Sequence, residues 1–133
     1  MALQPSSRSA LRAASAAAEL IRQAHTKEEI MQDYWIDFKS LPWEPVMDGV
    51  RQKVVAHSGK KVRLVEYSRA MPPHWCAKGH YGYILKGRFE IEFADRTHIF
   101  EEGVGVFIPD GEEHRHRARA LSDIVRVIFV EDA

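Results

Sequence analysis

The segment His74-Trp75-Cys76-Ala77-Lys78-Gly79-His80 places the chain's single cysteine between two of its seven histidines. Imidazole nitrogen and thiolate sulfur suit zinc, iron, copper or nickel, whereas magnesium and calcium prefer oxygen. Alternate residues of an extended chain point to one side, so His74 and Cys76 share a face. A bend at Lys78-Gly79 lets His80 open the next run and return to the same pocket. A second cluster lies in Pro109-Asp110-Gly111-Glu112-Glu113-His114-Arg115-His116. Pro109 and Gly111 form a tight turn, and His114 and His116 take alternate positions of the strand expected after it, both able to face inward. Arg115, Arg117 and Arg119 then form the opposite, solvated face. The competing reading is structural, because a single histidine is usually a satisfied polar residue and Cys76 can be a small buried thiol.

The elements that must hold these residues follow from periodicity. From Val50 onward the apolar pattern alternates in short runs between turn residues, at 50–57, 61–70, 81–86, 88–94, 97–101, 104–108, 114–118 and 124–131. Runs of this kind predict an all-β sandwich or small barrel. In Phe89-Glu90-Ile91-Glu92-Phe93 the alternation puts Phe89, Ile91 and Phe93 in the core and both glutamates in solvent, and Val127 and Phe129 also read as core. Arg63 and Glu66 lie on opposite faces of one run, so only one of them can face a pocket. Trp75, Tyr81 and Tyr83 flank the first cluster, either at a pocket mouth or in the core.

Before the β region the chain is different. Met1 to Ala18 is rich in alanine and serine, carries Arg8 and Arg12 and has no acidic residue. Leu11, Ala14, Ala18 and Ile21 fall on one helical face, which fits either a packed helix or, over residues 1–25, an organelle-targeting segment. Thr26-Lys27-Glu28-Glu29 reads as a capping box for a second short helix ending near Tyr34. The two prolines and the glycine of Leu41 to Gly49 close this helical extension, assigned to residues 1–40.

Composition narrows the partners. With 133 residues, 45% of them apolar, the chain suits one globular domain. Its 19 basic residues balance 19 acidic ones, so no net field attracts nucleic acid or a membrane surface. One cysteine forms no intrachain disulfide, which points to a reducing, cytoplasmic setting. No apolar run reaches the roughly 20 residues that span a bilayer. No carboxylate pair, nucleophile with an adjacent base or phosphate-cradling glycine loop is evident; Gly103 and Gly105 flank an alternating run and read as strand packing.

Taken together, the two clusters resemble those of the cupins. That family's first motif has two histidines one residue apart, a glutamate about four residues on and a later glycine; His74, Cys76, His80 and Gly87 fall at these positions. The second motif, a glycine, a proline, a glycine and a histidine, is matched by Gly103, Pro109, Gly111 and His114. Ser68 and Ala118 depart from the pattern, and Cys76 and His80 replace a histidine and the glutamate. The resemblance implies a double-stranded β-helix, or jelly-roll, barrel over 45–131. It implies a site in which His74, Cys76, His80 and His114 hold a divalent transition metal, zinc or iron foremost, with nickel, copper and manganese also open. His116 would then relay a proton to a small-molecule substrate. Isomerase, lyase and dioxygenase chemistry stay open beside a non-catalytic metal- or ligand-binding module, and a homodimer is expected.

Overall fold

The structure, a computed structural model, describes residues 34–133; the helices expected before Tyr34 and the targeting segment lie outside the described residues. Contacts divide the chain at Ser40. On the N-terminal side the described residues end in a 3-10 turn, Phe38–Ser40, closed by the Ser40 backbone N–H donating to the Asp37 carbonyl at 3.1 Å.

The second unit holds nine strands: β1 Glu44–Met47, β2 Val50–His57, β3 Lys60–Ser68, β4 His80–Lys86, β5 Arg88–Phe93, β6 Thr97–Glu101, β7 Gly105–Ile108, β8 His116–Ala120 and β9 Ile124–Asp132. All pairings are antiparallel, in a six-stranded sheet ordered β1-β2-β3-β9-β4-β7 and a three-stranded sheet ordered β6-β5-β8. The expected all-β architecture is what forms. Period-two alternation drives it: Val125, Val127, Phe129 and Glu131 are buried along β9, and the residues between them are not. Val65, Ile84 and Val127 of the large sheet pack in one cluster with Phe89 and Ile91 of the small sheet, so the inner faces enclose a shared core. Burial at roughly 25 cal/mol per Å² of apolar surface is the main force holding the two layers together.

Two local features go beyond the periodicity reading, each for an identifiable reason. The stretch from Leu41 to Gly49 closes the helical region in sequence terms, yet Glu44–Met47 pairs with β2. Pro45 is tolerated there because β1 is an edge strand, and an edge position can do without one ladder N–H. The strand expected from His114 starts two residues later, since Gly111 takes φ 128° and Glu112–His114 coils into a 3-10 turn. Among the described residues no helix is long and apolar enough to cross a membrane.

Candidate metal centre

Backbone pairing builds the site first. Cys76 and His116 exchange two hydrogen bonds, N–H of Cys76 to the His116 carbonyl at 2.8 Å and N–H of His116 to the Cys76 carbonyl at 2.9 Å. Residues paired this way carry their side chains on the same side of the sheet. His80 comes from the opposite sheet, at the start of β4, where it pairs with Ile108. Gly79 lets the chain arrive there: a Cβ on it would lie 2.3 Å from the Ile108 carbonyl oxygen, a separation no side chain accepts. Asp110 secures the approach by accepting the Gly79 N–H at 2.6 Å.

One donor atom from each of Cys76, His80 and His116 lies within 4.8 Å of the others, close to the span of two metal bonds of about 2.0–2.3 Å. The rings of His80 and His116 meet edge to face at 5.4 Å. Both present the same nitrogen. Nδ1 of His80 donates to Oε1 of Glu131 at 2.9 Å, and Nδ1 of His116 donates to the His114 carbonyl at 3.0 Å. A carboxylate and a carbonyl only accept, so each Nδ1 carries a proton, and in the neutral ring the lone pair then lies on Nε2. That is the tautomer a metal-binding histidine needs, oriented as such histidines commonly are by a second partner. His116 is buried, at 5% exposure; burial lowers its pKa, as do neighbouring His80 and His74, against the opposing pull of the His114 carbonyl.

The other two expected ligands are placed differently. His74 is exposed, lines the same cavity and engages Nδ1 with the Pro72 carbonyl at 3.2 Å, but it is not one of the three clustered donors. His114 sits on the 3-10 turn with its ring 3.7 Å from Glu113, and it meets the site through its carbonyl rather than its ring. The turn exchanges the two histidines: His116, expected as a proton relay, stands among the clustered donors.

Glu131 escapes the motif reading of the sequence, and it organises the site. Its carboxylate, 4% exposed, takes two hydrogen bonds from Arg63, at 2.7 and 3.1 Å, besides that from His80, with Lys61 at 3.6 Å. Burial alone would raise its pKa; the hydrogen bonds from His80 and Arg63 reverse this and hold it at about 2. The signal is present in the alternation, because Glu131 continues the inward register of Val125, Val127 and Phe129. Of the two charged residues on opposite faces of β3, Arg63 faces the cavity. Glu66 lies on the other face, buried between Arg51 and Arg126. Tyr81 and Tyr83 are neither core nor pocket lining, because His80, Gly82 and Ile84 take the inward positions of β4 and leave both tyrosines exposed.

The cavity holds about 210 Å³ and is floored by Ile84, Phe89, Ile91, Val106 and Val127, with His74, Cys76, His80 and His116 also on its wall. Two facing antiparallel sheets with a cysteine and histidine cluster opening into the space between them define a small β-barrel fold with a central cavity. Residues 53–131 match the cupin domain family, and the chain belongs to it. Among solved structures it is similar to KdgF from Halomonas sp., at 24% identity and TM-score 0.61, over 71% of this chain and 89% of that one. It is also similar to an RmlC-like cupin from Shewanella frigidimarina, at 14% identity and TM-score 0.56, over 69% of this chain and 85% of the other. A third similar structure is FeII HppE, at 13% identity and TM-score 0.57, over 71% and 57% of the two chains. At these identities the likeness is one of fold. No curated protein matches the sequence.

Proposed function

We propose that this protein is a metal-binding cupin acting on a small organic substrate. The carrying observation is the convergence of Cys76 sulfur with the His80 and His116 rings at a cavity wall, each ring turned so that Nε2 is free. Nitrogen and thiolate donors favour a divalent transition metal, zinc or iron foremost, with nickel, copper and manganese compatible. The iron(II) form of HppE, similar in fold, supports iron.

In this reading Cys76, His80 and His116 hold the ion. A bound ion supplies Lewis acidity toward a carbonyl or hydroxyl oxygen, or a place for dioxygen, and the donor set suits isomerase, lyase and dioxygenase chemistry alike. The protein's residues do the remaining work: Glu131 and the His114 carbonyl hold the imidazoles in register, and the apolar floor excludes water from the reacting atoms. A non-catalytic metal-binding module is the second reading. It is favoured by His74, whose place on the same wall offers a fourth ligand, and four protein ligands make the closed sphere of a structural site. The reading includes a homodimer, for which Phe107, 80% exposed and meeting Tyr81 edge to face at 4.9 Å, offers an apolar outer surface.

The test is elemental analysis of untagged protein prepared anaerobically, comparing wild type with His116→Ala and His114→Ala. Near-stoichiometric metal in wild type and His114→Ala, lost in His116→Ala, is expected. A wild type that stays metal-free after reconstitution, or the reverse pattern in the two variants, overturns the assignment.

A further inference from the structure

The charged side chains on the cavity wall are Arg63 and Arg117; no carboxylate lines it among the described residues. Arg117 is committed elsewhere, donating to Glu92 at 2.8 Å with its guanidinium over Trp75. Arg63 is the enclosed cation, its side chain 14% exposed. Nε and Nη2 donate to Glu131, Nη1 donates to Gln52 at 3.0 Å, and the guanidinium lies over Phe129 at 5.3 Å. Those bonds use three of its five N–H groups and lock its plane, leaving one N–H on each Nη.

Charge does not cancel here. Arg63 and Lys61 together face the single carboxylate of Glu131, which leaves one positive charge beside the cavity. Tyr67 shares the inward face of β3 with Arg63 and lines the same cavity, packed on Phe89 at 4.6 Å. Its hydroxyl has no hydrogen-bond partner among the described residues. Burial, with Glu131 and Cys76 nearby, pushes its pKa up to about 12 against the opposing pull of Arg63, so it remains a donor.

A ligand that completes this cavity brings one negative charge, planar acceptors for the two spare N–H groups, and little bulk. The volume, about 210 Å³, is below the roughly 300–1,000 Å³ of pockets for larger ligands. We infer that the cavity selects a small carboxylic acid bearing a second oxygen beside the carboxylate, with Arg63 and Tyr67 setting specificity for the carboxylate and the Cys76, His80 and His116 cluster taking the second oxygen. A phosphonate fits less well, because its extra charge and oxygen would enter an apolar floor without donors. The part played by the second oxygen rests on the metal reading; the carboxylate part does not.

The experiment is calorimetric titration of 2-hydroxybutanoate, its amide and the matching 1-hydroxypropylphosphonate into wild type, Arg63→Gln and Tyr67→Phe, each metal-free and metal-loaded. In wild type the acid should bind at least about tenfold more tightly than the amide in both metal states, since a charge-assisted pair is lost with the amide. Metal loading should tighten the acid further. Arg63→Gln should abolish the preference, and Tyr67→Phe, which keeps the Arg63 contacts and guards against a folding failure, should reduce it several-fold. Equal binding of acid and amide, an acid preference unchanged in folded variants, tighter phosphonate binding, or no binding by any probe overturns the inference. A preference that persists in metal-free protein while loading adds nothing upholds the carboxylate site and removes the metal reading instead.

Discussion

Nδ1 of His80 and Nη2 of Arg63 donate to the same oxygen of Glu131, at 2.9 and 2.7 Å. One buried carboxylate therefore fixes an imidazole of the Cys76, His80 and His116 group and the cation of the cavity wall at once. The two groups come from β4 and β3, and the carboxylate comes from β9, the strand between them.

Replacing that carboxylate with an amide keeps the shape and removes the charge. Glu131→Gln should weaken metal binding by about 10- to 100-fold, the usual effect of losing a histidine's orienting partner. It should also destabilise the fold by about 3 kcal/mol, because Arg63 and Lys61 lose their shared counter-charge. Anaerobic competition titration checks the first effect and denaturant unfolding the second. Unchanged affinity in a folded variant would separate Glu131 from the cluster.

The Glu66 carboxylate gives a pH dependence with a definite sign. Burial would raise its pKa, but hydrogen bonds from Arg126 and Arg51 hold it below the ordinary 4.5. A group depressed in the folded state contributes stability that is complete above its unfolded pKa and fades as pH falls through the folded one. The stability advantage of wild type over Glu66→Gln should thus be constant above pH 4.5 and shrink below it. Urea midpoints measured across this range decide, and an advantage that grows on acidification would contradict the assignment.

Gly79→Ala tests the approach to the site. Its new Cβ would meet three backbone atoms, the Ile108 oxygen at 2.3 Å and the Asp110 nitrogen and Pro109 carbon at 2.7 Å. Backbone cannot step aside like a flexible side chain, so a loss of about 2–3 kcal/mol is expected. Because His80 follows directly, bound metal should fall as well. Thermal melts with metal analysis of the folded fraction read both, and full metal content would mean the chain repacks without moving His80.

Phe107→Glu addresses pairing between copies. A charge at this exposed position of edge strand β7 should convert the proposed homodimer to monomer in sedimentation, with the melting temperature little changed. A variant that remains dimeric would place the contact on another surface.

Much of the fold is legible in the order of residues alone. The inward register of Phe89, Ile91, Val127 and Phe129 is written in strict alternation, and local alternation commits a segment to a half-buried strand whatever its partners. Glu44–Met47 stays hidden because its proline reads as a breaker unless the strand is known to lie at an edge, a property of the whole sheet. The site is partly legible. Cys76 and His80 follow from residue type and spacing, whereas the roles of His114 and His116 depend on a 3-10 turn in which Gly111 takes a positive φ.

The sequence by itself determined the all-β class, the family and the donor chemistry, because alternation, motif spacing and residue type are local properties of the chain. Only the tertiary structure decided that Cys76 pairs with His116 and that Glu131, 51 residues beyond His80, holds its ring. The first arises where the segment before β4 meets the start of β8, and the second where β9 inserts between β3 and β4. No local pattern encodes that insertion, since it is settled by the burial of all the strands together.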